Sequence, residues 1–452
     1  MLTTLLMAAA ISQPQLPPPP PPSLPGEVMA KVSPERCRET VDTLVGFGTR
    51  HTLSETESDT RGIGAARRWV AEQFRAAAPE DNPGAIEVSF DRFTQPAGRR
   101  IPAPTEIVNV VARIPGSMPE AAGREYLVLA HLDSRASDGM DAESDAPGAN
   151  DDGSGVAVLI ELAHVLVDAE LDSTVVLIAT SGEEQGLYGA RHYAEQAKKE
   201  GRDIRAVLNN DMVGDPGGPI DPDGTERRAP ELVRVFSEGL PIGATTEEAA
   251  AIRRLSSESD STSRELARAI AEISAREQTA VKPFLIFRPD RFLRGGDHTA
   301  FNEMGYPAVR FTVVHENYDR QHQDVREEDG VQYGDLPEHV DAEYLANVAR
   351  LNAAVLVHLA NAPSAPTNVR MLTAELSPNT TLRWDPSPEP DVAGYEVVWR
   401  DTISATWDWA NDVGDRTEYT MALSKDNLFF GVRAYDSDGY RSPVVFATAA
   451  KE

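Results

Sequence analysis

Five strand-length runs, several of them apolar throughout, constrain what this chain can fold into: residues 107–114, 126–130, 174–179, 204–208 and 308–312. A strand that is apolar on both faces must be covered on both faces, which is the condition of a parallel sheet inside an α/β layer structure. Helical periods alternate with these runs. Residues 34–45 and 59–74 read as helices, the latter with Ile63, Ala66, Trp69, Val70 and Phe74 on its apolar side. Residues 155–167 place Val156, Leu159, Ile160, Ala163 and Val167 along one face, and 345–359 reads as a closing helix. The fold expected over 29–361 is therefore α/β, a mixed, mainly parallel sheet flanked by helices. Residues 220–283 break the rhythm. They are polar and rich in Glu, Arg and Ser, with a helical stretch at 263–273, and are expected to form an insertion over or beside the sheet.

The two ends differ in composition. Residues 1–12 (MLTTLLMAAAIS) form a short apolar run ending in small residues, as in a signal peptide, so a secreted or periplasmic location is expected. Residues 13–28 are expected to be a Pro-rich linker, extended through 26. At 361–366 the composition changes again. Thr381, Leu382 and Trp384, then Tyr395, Val397 and Trp399, then Tyr419, Met421 and Leu423, then Val432 and Ala434 alternate with polar residues. This predicts a small all-β sandwich over 362–452. Trp384, Gly394-Tyr395-Glu396-Val397 and Val432-Arg433-Ala434-Tyr435 resemble a fibronectin type III domain, which implies a module that binds a surface, matrix or partner.

Asp plus Glu total 72 against 43 Lys plus Arg, a formal charge of −29, which disfavours nucleic acid and anionic membrane as partners. No run has the length and unbroken apolarity of a membrane span. The single cysteine, Cys37, allows no intramolecular disulfide and no Cys-rich zinc site, so any metal must be held by His and carboxylate.

Function in α/β sheets gathers in the loops after the carboxyl ends of strands, and there the sequence keeps its unusual residues. His131-Leu132-Asp133 follows 126–130, and Gly148-Ala149-Asn150-Asp151-Asp152-Gly153-Ser154-Gly155 opens a helix. Glu183-Glu184-Gln185-Gly186-Leu187-Tyr188-Gly189 follows 174–179, and Asn209-Asn210-Asp211-Met212-Val213-Gly214 follows 204–208. Gly296-Asp297-His298 and Gln321-His322-Gln323-Asp324 come later. Each piece alone has an ordinary explanation: Asp151-Asp152 as a helix cap, Glu183-Glu184 as an acidic first turn, a lone His as a hydrogen-bonded structural residue. Their recurrence in successive loops instead suggests metal ligation by His and carboxylate. His51, His164, His192, His339 and His358 are expected to be structural.

Taken together, these motifs resemble the M28 family of zinc peptidases over about 105–325. The resemblance implies two zinc ions, with Asp151 bridging them, His131 and Asp211 completing one site, and Glu184 and His322 the other. Glu183 would be the general base toward a shared water, Asp133 would orient the His131 ring, and the Asp151–Asp152 peptide would be cis. The implied reaction is hydrolysis of amino-terminal residues from peptide or protein substrates. Many relatives have Tyr before the last His, where this chain has Gln321, which leaves the oxyanion donor unassigned; Tyr318 lies three residues before it. His315 is the rival of His322, and Asp297, His298 and Tyr318 are expected around the cleft. Two other activities suit such a scaffold: glutaminyl cyclisation, which generally uses one zinc, and binding by an inactive peptidase fold. A carboxylate-recognising peptidase would need a cluster of arginines, for which Arg291 and Arg294 alone are too few.

Overall fold

The structure, a computed structural model, describes residues 23–374 and 376–450. The expected signal segment and the greater part of the proline run lie outside the described residues. The folded body begins at helix α1 (Ser23–Ala30), where Val28 is buried against the core. Residues 23–28, expected to be linker, are helical instead, and Pro25 sits in a first helical turn, where its missing N–H is tolerated.

Helix α2 (Pro34–Gly46) starts at a Ser33 cap, whose hydroxyl accepts from the Arg36 N–H, with proline at the first helical position. Helix α3 (Gly62–Ala76) follows, then strands β1 (Glu87–Gln95), β2 (Thr105–Ile114) and β3 (Arg124–His131). Next come α4 (Gly153–Leu166), β4 (Thr174–Thr180), the single turn α5 (Glu183–Gly186), α6 (Tyr188–Glu200) and β5 (Asp203–Asn210). A hairpin of β6 (Gly217–Ile220) and β7 (Glu226–Arg228) leads to β8 (Leu232–Ser237), α7 (Thr246–Leu255), α8 (Thr262–Arg276) and β9 (Lys282–Ile286). Helix α9 (His298–Glu303), β10 (Ala308–Thr312), a second hairpin of β11 (Arg326–Glu328) and β12 (Val331–Tyr333), and α10 (Ala342–Asn361) complete the α/β unit.

Eight strands form one sheet in the order β1-β2-β4-β3-β5-β10-β8-β9. Its centre, β4-β3-β5-β10, is parallel, and β1 and β2 run antiparallel at one edge. Along β3 the side chains alternate: Tyr126, Val128 and Ala130 enter the core shared with α2, α4 and α10, while Leu127 and Leu129 enter the core under α6 and α9. Both faces are covered, as the apolar runs require.

The segment 220–283 lies beside the sheet and not over it: it supplies β8 and leads into β9, which extend the sheet beyond β10, and Leu266, Ala267, Ile270 and Ile273 of α8 belong to the main core. Its polar residues hid the buried face of α8, where Glu265 and Arg268 are buried beside the apolar stripe.

Beyond residue 366, strands β13 (Thr367–Leu372), β14 (Thr380–Asp385), β15 (Val392–Asp401), β16 (Trp409–Gly414), β17 (Glu418–Met421), β18 (Leu428–Asp436), β19 (Val445–Phe446) and β20 (Thr448–Ala450) form two four-stranded sheets. Their facing sides share a core of Leu382, Trp384, Tyr395, Val397, Phe430 and Val432. This sandwich docks on α8 and α10 through polar contacts. Arg268 Nε donates to the Ala405 carbonyl at 2.7 Å, Trp407 Nε1 to Glu265 at 2.9 Å, Arg400 Nη2 to Asp260 at 2.6 Å, and the Arg441 N–H to His358 Nε2 at 2.9 Å. Among the described residues no helix is long and apolar enough to cross a membrane.

Candidate metal centre and active site

Because β4, β3 and β5 are neighbours, their carboxyl ends deliver Glu183–Glu184, His131 and Asp211 to one place. The loop before α4 adds Asp151. Its neighbour Asp152 caps α4 at the Gly155 N–H (3.1 Å), and the same oxygen accepts from Met212 N–H at 3.1 Å. The other oxygen of Asp152 accepts from the His131 N–H at 3.1 Å, so one buried carboxylate ties three ligand-bearing segments together. Asp152 thus acts as the helix cap, which leaves the Asp151 side chain outside the cap. The Asp151–Asp152 peptide is cis.

His131 Nε2 lies 3.0 Å from Asp151 Oδ1 and 4.0 Å from Asp211 Oδ1. His322 Nε2 lies 3.0 Å from Asp151 Oδ2 and 2.9 Å from Glu184 Oε1. Two three-residue groups result, His131–Asp151–Asp211 and Asp151–Glu184–His322, each with its ligand atoms within 4.8 Å of one another. They share Asp151, which turns one oxygen to each. His315, the rival ligand, belongs to neither group and lies against Gly218.

The donor chemistry fits zinc. His131 Nδ1 is 2.8 Å from the Asp133 carbonyl oxygen, which can only accept, so a neutral ring presents the Nε2 lone pair to carboxylate oxygens. Glu184 Oε1 is buried without a hydrogen bond. Lone pairs facing lone pairs in a buried site demand positive charge, and mixed His and carboxylate donors suit zinc. Without a cation, protons meet the same demand. Burial opposes charge on both imidazoles, yet the hydrogen bond to Asp151 raises His131 well above its ordinary range, and Glu184 and Asp151 raise His322 to about 10.

The surroundings correct several sequence expectations. Asp133 does reach the His131 ring, but through its backbone carbonyl. Its carboxylate accepts instead from the N–H groups of Gly182 (2.9 Å), Glu183 (3.3 Å) and Glu184 (3.1 Å), and from Thr52 Oγ1 at 3.0 Å. Glu183 lines the cleft and is partly exposed; burial, with Glu184, Asp211 and Asp297 nearby, pushes its carboxyl well above the usual range despite His131. Asp297 and His298 do not line the cleft: Asp297 is buried and accepts from Thr180, and His298 donates to the Pro289 carbonyl at 2.9 Å. Tyr318 is exposed and also outside the cleft wall. Gln321 does line it, with Nε2 donating to Asp151 Oδ2 at 3.1 Å.

Three contributors escaped the sequence reading. The Asp335 carboxylate accepts the N–H groups of Asn150 (2.9 Å) and Asp151 (2.7 Å) from far along the chain, with no local motif to mark it. Arg50, fully buried, donates to the carbonyls of Leu132, Pro147 and Gly148 and so joins the His131 and Asp151 loops. Arg310 holds Asp211 Oδ1 at 2.9 Å. It was visible as the one charge within the buried strand β10.

The centre opens into a cleft of about 600 Å³. A larger depression of about 760 Å³, between α7 and the sandwich, contains none of these ligands.

The family model described as "Peptidase family M28" matches residues 109–355, which hold all the ligand candidates. A protein called "Probable zinc metalloprotease" from Pyrenophora teres f. teres is 45% identical over 418 residues, 92% of this chain and 85% of its own length. One of the same description from Leptosphaeria maculans is 45% identical over 419 residues, 93% and 95% of the two chains. Among solved structures, Legionella pneumophila LapA is similar in fold at a TM-score of 0.51 and 18% identity, covering 75% of this chain and 76% of its own. A Macrostomum lignano glutaminyl cyclase is similar at 0.50 and 16%, covering 75% and 94%. The fold thus serves proteins of different description, whereas the sequence match is of one kind, and the chain belongs to peptidase family M28.

Proposed function

We propose that this protein is a dinuclear zinc aminopeptidase, releasing amino-terminal residues from peptides. The observation that carries the reading is the pair of ligand groups sharing Asp151, one completed by His131 and Asp211, the other by Glu184 and His322. Zinc bound there supplies a Lewis acid for the scissile carbonyl and a lowered pKa for water. Glu183, partly exposed beside both groups, takes the proton of the attacking water and returns it to the leaving amine. Arg310 holds Asp211, and Gln321 and the Asp335-bound loop hold Asp151, so the ligand carboxylates are fixed before substrate arrives.

The complete ligand set together with Glu183 argues against an inactive binding fold, and metal stoichiometry separates the peptidase from a cyclase. Elemental analysis should give close to two zincs per chain. Chelation should abolish release of amino-terminal residues from unblocked peptides, and zinc should restore it; one zinc in fully active protein would overturn the reading. The carboxy-terminal sandwich, with Trp384 packed on Tyr395 between its sheets, we read as a fibronectin type III-like binding module. Residues 1–12 we read as an export signal, to be checked by sequencing the amino terminus of protein recovered from the medium.

A further inference from the structure

His322 is the ligand candidate that no strand end or helix opening places. His131 ends β3, Asp211 directly follows β5, Asp151 precedes α4 and Glu184 lies in the turn α5. His322 instead lies between β10 and β11 in a stretch without helix or strand, and its φ is +56°. A residue with a side chain stays in that left-handed region when surrounding contacts outweigh the cost of the conformation. What fixes His322 is therefore a question about its neighbours' side chains.

Asn317 Nδ2 donates to the Gly218 carbonyl at 3.3 Å. Ser137 and Asp324 exchange hydrogen bonds of 3.1 and 3.0 Å, but both residues are exposed. Arg320, two residues before His322, makes the stronger tether: its Nη1 lies 2.6 Å from Oδ2 of the buried Asp215, and its own side chain is 19% exposed. A charge-assisted bond to a desolvated carboxylate holds better than hydrogen bonds open to water. Among the described residues Arg320 is the one cation within ion-pair distance of Asp215, and its other carboxylate neighbour, Glu226, is 3.6 Å away. Asp215 is itself fixed. Its Oδ1 accepts from the Gly217 N–H at 3.0 Å, and its own N–H donates to Asn150 Oδ1 at 3.1 Å, which also accepts from the Gly214 N–H at 2.8 Å. The anchor thus stands on the segment that carries Asp211 and is strapped to the residue before Asp151.

Resting on the dinuclear reading, we propose that Arg320 is a positioning residue for His322: anchored on Asp215, it holds the imidazole toward Glu184 and Asp151 and so sets the metal affinity of that group. The group of His131, Asp151 and Asp211 does not depend on it, because strand ends and the α4 loop place those three side chains.

Zinc titration of the full chain against a competing chelator, without substrate, reads the two binding steps, and His322→Ala marks the step that belongs to the His322 group. Arg320→Met should weaken that step about 10–100-fold, the usual cost of losing a ligand's support, and leave the other step near wild type. Arg320→Lys, which keeps the charge, should retain part of the affinity, and raising zinc should bring the kcat of Arg320→Met back toward wild type. Arg320→Met also strands the buried Asp215 carboxylate, so it is combined with Asp215→Asn. The double variant carries no unpaired charge there and should keep the weakened step. Recovery of wild-type affinity in the double variant would assign the loss to the stranded charge, and equal weakening of both steps would assign it to general structure. Either result, or two unchanged steps in Arg320→Met, would overturn the positioning role while leaving the dinuclear reading intact. A single zinc step in wild type would overturn both.

Discussion

The carboxylate of Asp133 accepts the backbone N–H of Glu184 at 3.1 Å, and the Asp133 carbonyl accepts from the His131 ring at 2.8 Å. One residue therefore orients a ligand candidate in each metal group. Replacing it by Asn keeps the shape and the carbonyl but turns an amide N–H2 toward backbone donors. We expect Asp133→Asn to lose about 10–100-fold in zinc affinity or turnover, the usual cost of an outer-shell change. The loss should fall first on the Glu184 site, because the side chain serves that turn. Zinc titration of the variant against wild type measures it; unaltered binding and activity would show that the turn holds without Asp133.

Glu183 and Glu184 are adjacent yet do different work. Glu184 Oε1 is turned to His322 and is buried, while Glu183 is partly exposed to the cleft. Glu183→Gln should keep two zincs and lose about 10²–10⁴-fold in kcat, the range of general base catalysis. Glu184→Gln should lose zinc and regain part of its activity in excess metal. The reverse pattern would invert the assignment.

How much of this was legible depends on whether the signal was local. His131, Asp151, Glu184 and Asp211 each lie at or just beyond a strand end or in the loop that opens a helix, so motif and topology point to the same place. The alternation of β14, β15 and β18 was equally plain. Asp335 was not legible, because its partners Asn150 and Asp151 lie across the fold and no period marks a single acceptor in a loop. The segment 220–283 looked separate because α8 buries its apolar stripe, Leu266, Ala267, Ile270 and Ile273, beside charged residues that are themselves buried, Glu265 and Arg268, and sequence does not show the depth of a charge. Asp297 and His298 looked like a cleft motif because sequence shows residue type and not depth; both are buried.

The sandwich should matter for stability and not for the chemical step, since none of its residues lines the cleft. Trp407 Nε1 donates to the buried Glu265 across the interface. Trp407→Ala removes that donor and should cost about 1–3 kcal/mol, the penalty for leaving a buried acceptor unpaired. The readouts are a lowered Tm with kcat/KM on dipeptides near wild type. Loss of turnover at unchanged Tm would mean that the interface controls the site.

The same interface contains a histidine whose protonation should tune stability. His358 on α10 is buried, its Nε2 accepts from the Arg441 N–H at 2.9 Å, and its ring packs edge-on to Tyr440 at 5.3 Å. Burial first, then the charges of Arg276, Arg441 and Arg433, hold its pKa well below 6.5. The folded protein therefore keeps this ring neutral, while the unfolded chain protonates it below about pH 6.5. Its stabilising contribution is complete above that pH and is lost as pH falls below it, by up to about 1.4 kcal/mol per unit. Glu396, held at about 2 by Arg433 and Arg441 against the effect of burial, stays charged through this range and does not add to the change. Comparing wild type with His358→Gln in denaturant at pH 7.5, 6.5, 5.5 and 5.0 cancels the remaining titrating groups. The wild-type advantage should shrink steadily below pH 6.5; a difference that stays constant would show that His358 titrates alike in the folded and unfolded protein.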